Sequence, residues 1–169
     1  MGKKPVFRDG KEFYAKLYFL FNAYIAVSLL PFGLLFLEVD VKGDRSPILT
    51  GMLGVVTMGI LFIGSGTLFY LGIDKFRKHL KSTTSTDTLR QKLLTLYDAN
   101  IKKFQLFTAS AALSLLGLYL HKNSLFVITY MLVLANLSIF RPSIRKMIKD
   151  LRLSESESQI LTENQAISQ

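Results

Sequence analysis

The chain has 169 residues, half of them hydrophobic, a mean hydropathy of +0.33, 21 Lys and Arg against 12 Asp and Glu, and a net charge of +9. Residues 17–37, 46–73, 104–120 and 123–140 carry no charge, and together they make up half the chain. A helix in water keeps a polar face, so stretches this long without charge exclude a soluble domain, and the composition excludes a disordered chain, a coiled coil and a disulfide scaffold.

The expectation is an all-α integral membrane protein with four transmembrane helices arranged as two antiparallel hairpins. Residues 1–16 form a basic N-terminus with Lys3, Lys4, Arg8, Lys11 and Lys16. The apolar run that follows is longer than a signal-peptide core, and Glu38 follows it rather than a small-residue cleavage site, so 17–37 reads as a retained first span. Tyr14, Tyr18 and Phe19 fit an aromatic belt at its inner end. Pro31 removes the bond to the Val27 carbonyl and predicts a kink, with Ser28 placed to satisfy freed carbonyls. Asn22 is a candidate polar group at membrane depth.

An outer loop, 38–47, holds Glu38, Asp40 and Asp44 beside Lys42 and Arg45, and reads as a solvated turn rather than a cation site. The second span, 48–73, contains six glycines, of which Gly59 and Gly66 are seven apart and share a face, a candidate helix-packing surface. Gly64-Ser65-Gly66 could permit local unwinding, but helix packing explains it more simply.

Residues 74–103 form a cytoplasmic connection. It is polar through the hydroxyl cluster at 82–86, and Thr88-x-x-Gln91 then has the spacing of a capping box. Leu89, Leu93, Leu96, Tyr97 and Ile101 recur at helical spacing, with Arg90, Lys92, Asp98 and Lys102 elsewhere on the wheel and Lys92 facing outward. No breaker precedes Phe104, so one helix over 88–120, roughly 50 Å long, joins this extension to the third span, 104–120. Burying the stripe is worth about 1.5–3 kcal/mol per large side chain, so it should pack against residues 76–80, the helix at 144–151 or another chain.

Ser110, Ser114 and Gly117 lie along one face of the third span. An outer turn of three residues, 121–123, leads into the fourth span, 124–140, which carries Asn136 and ends before Pro142. In the tail, 141–169, Ile144, Met147, Ile148 and Leu151 oppose Arg145, Lys146, Lys149 and Arg152. This is a short amphipathic helix whose basic face is a candidate contact for anionic lipid headgroups. Ser154-x-x-Glu157 is a second capping box, and the polar end beyond it should fray.

Four spans place 18 Lys and Arg on one side of the membrane and 3 on the other, which orients both termini toward the cytoplasm of a plasma or bacterial inner membrane. On that topology His79 and His121 face opposite sides and cannot share a metal. No span holds an ionisable residue, which argues against ion-coupled transport and leaves Asn22, Ser28, Ser114 and Asn136 as the polar groups at depth. No nucleotide-binding, hydrolase or metalloprotease motif occurs, and no module for nucleic acid. No catalytic, cofactor-binding or metal-ligating residues are expected. The expected role is a non-enzymatic membrane subunit, scaffold or accessory protein whose partners are the bilayer, anionic headgroups, a second copy or another membrane protein. A small oligomeric transporter or channel is the alternative, and a lipid-active enzyme is third.

Overall fold

The computed structural model describes residues 7–43, 46–82, 87–163 and 165–167. Six helices follow one another: α1 (Gly10–Lys42), α2 (Gly51–Lys81), α3 (Leu89–His121), α4 (Ser124–Ile139), α5 (Ile144–Leu151) and α6 (Glu155–Thr162). Among the described residues the only β feature is an isolated antiparallel bridge between Asp9 and Ala166. The fold is all-α, and α1, α2 and α3 are each long and apolar enough to cross a membrane. A fourth crossing is reached if α4 counts together with α5, from which it is bent by 85°. With 16 residues α4 is about 24 Å long, short of the roughly 20 residues that a bilayer core asks for.

Helices run past the uncharged stretches at most ends, because backbone hydrogen bonding continues wherever side chains permit it. α1 starts at Gly10 and passes through Pro31 without interruption. Ser28 donates to the carbonyl of Tyr24 at 2.9 Å rather than to that of Val27, the carbonyl that Pro31 leaves without its usual donor. α2 is likewise continuous across Gly64-Ser65-Gly66 and on to Lys81, so no unwound segment forms there. The α3 helix matches its expected bounds closely, and Thr88 and Gln91 cap its start reciprocally.

The chain divides into two compact units. The apolar unit comprises Ala23–Ile73 and Phe104–Phe140. Aromatic stacking organises its core: Phe32 lies on Tyr130 with centroids 3.5 Å apart, and Phe69 on Phe107 at 4.9 Å. Gly117 is needed for close approach, because a Cβ there would strike the Phe126 ring. At the end of α3, Lys122 takes a left-handed backbone (φ 49°) and its N–H donates to the Leu118 carbonyl. The Asn123 side chain then accepts from the Leu125 N–H and caps α4, while the Ile48 N–H donates to the Leu120 carbonyl at 2.9 Å. Large side chains such as Met52, Leu53, Val55, Ile60 and Ile63 stay exposed, a surface suited to lipid and not to water.

The charged unit comprises Met1–Asn22, Asp74–Lys103 and Arg141–Gln169. Leu93 and Leu96 of the apolar stripe are buried in it, with Phe76, Met147 and Leu151. Phe7 and Phe13 also join, forming an edge-to-face cluster with Tyr97. Tyr97 of the stripe is thus covered by N-terminal aromatic residues, which were not among the segments expected from sequence. The polar end does not fray over its described residues: Leu161 packs on Gly10, Ile167 is buried, and the Ile167 N–H donates to the Arg8 carbonyl at 3.0 Å. Two apolar anchors among polar neighbours are enough to hold it.

Candidate functional site

In the apolar unit the polar groups converge on α2 and α3. Ser65, Ser110 and Ser114 are each 0% exposed. Ser65 Oγ donates to the Ser110 carbonyl at 3.0 Å, and Ser110 Oγ donates to the Ser65 carbonyl at 2.9 Å. Ser114 Oγ donates back to the Ser110 carbonyl at 3.2 Å and lies 3.0 Å from Ser65 Oγ. Every hydroxyl proton therefore has an acceptor inside the seam, which is the geometry of interhelical attachment in an apolar medium. Ser110 and Ser114 belong to the stripe read from sequence. Ser65 was missed as their partner, although a small hydroxyl residue between two glycines marks a place where another helix can come close.

Beside the seam lies a half-open cleft of about 280 Å³. Its wall is mostly apolar, with Phe62, Phe69 and Val133, and Ser65, Ser110, Thr129 and Asn136 supply its polar points. Asn136 donates its amide nitrogen to the Leu132 carbonyl at 2.9 Å, within its own helix. Asn22 does the same toward Tyr18 at 3.0 Å. Asn22 is exposed and Asn136 half-buried, and each of these strongly hydrogen-bonding side chains spends a donor locally. Among the glycines, Gly117 makes the close approach, joined by Gly72 against Phe107 and Gly64 against Leu113. Gly59 and Gly66 have no atom within 4 Å of where a Cβ would stand, so within one chain they are not the packing glycines. The face they share is exposed because α2 meets α3 through Gly64, Ser65 and Gly72.

The charged unit handles polar burial through ion pairs and rings. Lys92 is not outward: it is 5% exposed and donates to Glu157 at 2.8 Å. α6 covers that face of α3, which periodicity within α3 alone could not reveal. Burial by itself would raise the Glu157 carboxyl. The Lys92 ammonium and the N–H and hydroxyl of Ser154 outweigh that effect and hold it below the ordinary glutamate value of 4.5. Lys103 is 2% exposed, with its ammonium 3.7 Å from the centroid of Phe76 and donating to Asn100 Oδ1 at 2.8 Å. Lys146 and Asp150 act on it electrostatically. Of the α5 basic face, Arg145, Lys149 and Arg152 are exposed and Lys146 is half-buried, while Met147 and Leu151 turn inward. Arg141 stacks over Tyr18 and donates to its hydroxyl at 2.9 Å.

No family model, curated protein or solved structure matches this chain. His121 is buried near the Phe126 ring, with Nε2 3.3 Å from the Thr57 hydroxyl. No group of three or more His, Asp or Glu among the described residues is arranged to hold a metal ion. Asp44 and Arg45, and the side chains of Asp40 and Lys42, lie outside the described residues, as do 83–86 of the hydroxyl cluster.

Proposed function

We propose that the chain is a multi-pass membrane protein of non-enzymatic type, a subunit, scaffold or accessory protein that acts by holding helices together and presenting a charged helical unit. In this reading there are four crossings in two antiparallel hairpins, with both termini in the cytoplasm of a plasma or bacterial inner membrane. The observation that carries it is the closed seam of Ser65, Ser110 and Ser114, in which hydroxyls buried in the apolar unit are used up in joining α2 to α3. The charge distribution supports the orientation. All 18 basic residues assigned to the cytoplasmic side fall in the charged unit, and the 3 assigned outside fall in the apolar unit.

A solute-conducting role is the second reading, favoured by one observation: Ser65, Ser110, Thr129 and Asn136 border a common cleft. Extraction in native lipid discs, followed by cross-linking and mass measurement, tests the choice. A stoichiometric complex with another membrane protein or with itself, and no solute flux in proteoliposomes, supports the scaffold. Flux that Asn136→Leu abolishes overturns it. The chain has no cysteine, so single introduced thiols report topology directly. Lys122→Cys should label from outside, and Gln159→Cys only after permeabilisation.

A further inference from the structure

On the charged unit, the end of α2 and the middle of α3 enclose a concavity of about 490 Å³, lined by Lys75, Lys78, His79, Ser82, Ala99 and Lys102. Lys75, Lys78 and His79 stand at positions i, i+3 and i+4 of α2, so they occupy one helical face, and Ser82 follows just beyond its end. Lys102 adds a third ammonium group from α3. Ala99 is buried and forms the floor. The large side chains Leu96, Asn100 and Lys103 surround that position in sequence, and the concavity exists because α3 places a small residue, Ala99, beneath the polar face of α2.

Among the described residues the lining contains no carboxylate. Asp74 pairs with Lys78 at 2.7 Å, which balances one of the three ammonium groups. Lys75 and Lys102 are exposed to the pocket's solvent. The negative end of the α2 dipole accounts for cations in its last turn. It does not account for Lys102 on another helix facing the same space, nor for the missing side chain at position 99. Convergent ammonium groups and an imidazole around a hollow are the chemistry of phosphate recognition, with lysine acting as a point charge, while the Ser82 hydroxyl at the rim donates to the His79 carbonyl at 2.7 Å. The volume is in the range of small-ligand sites and admits a phosphate with a glycerol-sized group attached. Basic pockets at the cytoplasmic ends of membrane helices hold phosphate-bearing headgroups by the same means.

We infer that this pocket binds a phosphomonoester, carried by a membrane lipid or by a small soluble molecule. The site differs from the α5 basic face, whose Arg145 and Lys149 do not line it. Its lipid form rests on the proposed placement of 74–103 at the cytoplasmic surface. Its soluble form does not.

The test uses the full chain in detergent, with native mass spectrometry and three probes: phosphatidic acid, phosphatidylcholine and glycerol 3-phosphate. Phosphatidic acid or glycerol 3-phosphate should bind in preference to phosphatidylcholine. Lys75→Gln with Lys102→Gln should weaken binding about tenfold. Ala99→Leu, which fills the floor and leaves every charge in place, should do the same, and Arg145→Gln with Lys149→Gln, on a face expected to meet lipid headgroups but outside the lining, should leave glycerol 3-phosphate binding unchanged. Binding of the lipid alone identifies a membrane source, and glycerol 3-phosphate binding with similar strength identifies a soluble one. Equal retention in all variants, loss only in the α5 variant, or no preference over phosphatidylcholine overturns the inference. If thiol labelling puts 74–103 outside, the topology reading fails while glycerol 3-phosphate binding still decides the pocket.

Discussion

In the apolar unit, Ser65, Ser110 and Ser114 satisfy one another and the carbonyls of two helices, with no charge involved. In the charged unit, Lys92 and Lys103 are as deeply buried as core leucines, one held by a half-buried glutamate and the other by an aromatic ring and an amide. The difference follows from the medium. A hydroxyl facing lipid has no water to return to, so its best partner is a nearby carbonyl, and the gain per bond is modest. Burying a lysine strips its hydration, which pushes the pKa of Lys103 down to about 7, so holding the charged form there requires a counter-ion or a ring face. The two units therefore should fail in different ways, and substitutions can separate them.

The largest expected effect is in the charged unit. Leu93→Asp puts a carboxylate where the leucine is almost fully enclosed. It should cost more than about 4 kcal/mol, the range of an unpaired buried charge. Hydrogen exchange over 89–103 should become fast while 104–120 stays protected. Slow exchange over 89–103 in the variant would show that protection there does not depend on the burial of Leu93, and fast exchange already in the wild type would show that no packed core exists there.

Next comes a backbone contact in the apolar unit. Gly117→Leu drives a side chain into the Phe126 ring and should destabilise by about 1–3 kcal/mol. Gly59→Ala and Gly66→Ala meet open space within one chain, and alanine favours the helix, so both should be neutral or slightly stabilising. A loss of oligomer mass in Gly66→Leu, with the monomer still folded, would show that a second copy uses that face. Sedimentation in detergent reads the outcome.

The Lys92–Glu157 pair sharpens the comparison through its asymmetry. Glu157→Gln leaves a buried ammonium without its counter-ion and should cost about 2 kcal/mol. Lys92→Met keeps the packed stem and leaves a carboxylate that water can reach, so it should cost about half as much. The pH dependence has a definite sign. The folded-state value of Glu157 lies below 4.5, so its stabilisation is present above the unfolded value and is lost as pH falls through the folded one. The difference between wild type and Glu157→Gln should shrink on acidification from pH 5 downward, read by thermal unfolding at each pH. A difference that grows instead would contradict the assignment.

The long apolar helices, the extent of α3 and the short turn after it were legible because each depends on local signals: uninterrupted apolar residues, a Thr88–Gln91 cap, and Asn123 before an apolar run. The burial of Lys92 was not legible, since it depends on α6 returning over α3 from 65 residues away. The bridge that ties Asp9 to Ala166 is likewise a meeting of distant ends. Periodicity showed that Ser110 and Ser114 share a face, but not which face of α2 meets it. Gly59 and Gly66 had the right spacing and stand on the wrong side.

The smallest effect concerns the seam itself, and it decides between the two functional readings. Ser65→Ala removes the donor to the Ser110 carbonyl and the contacts with the Ser110 and Ser114 hydroxyls. It leaves Ser110 Oγ donating to the Ser65 backbone carbonyl. One half of the reciprocal pair survives, so the cost should be about 0.6 kcal/mol, the average for such bonds in a membrane protein. Ser65→Ala combined with Ser110→Ala should lose more than the sum of the two single variants if each hydroxyl partly compensates for the other, and unfolding in mixed micelles measures that coupling. If the seam is dry attachment, Ser65→Val, which forces an extra methyl group into a fully enclosed contact, should cost about 1–3 kcal/mol more than Ser65→Ala. If the hydroxyls instead line a wet path reached from the cleft, Ser65→Ala should leave stability unchanged because water replaces the lost partner, and Ser65→Val should block solute flux. A stability loss with unchanged flux identifies attachment, and the reverse pattern identifies a path.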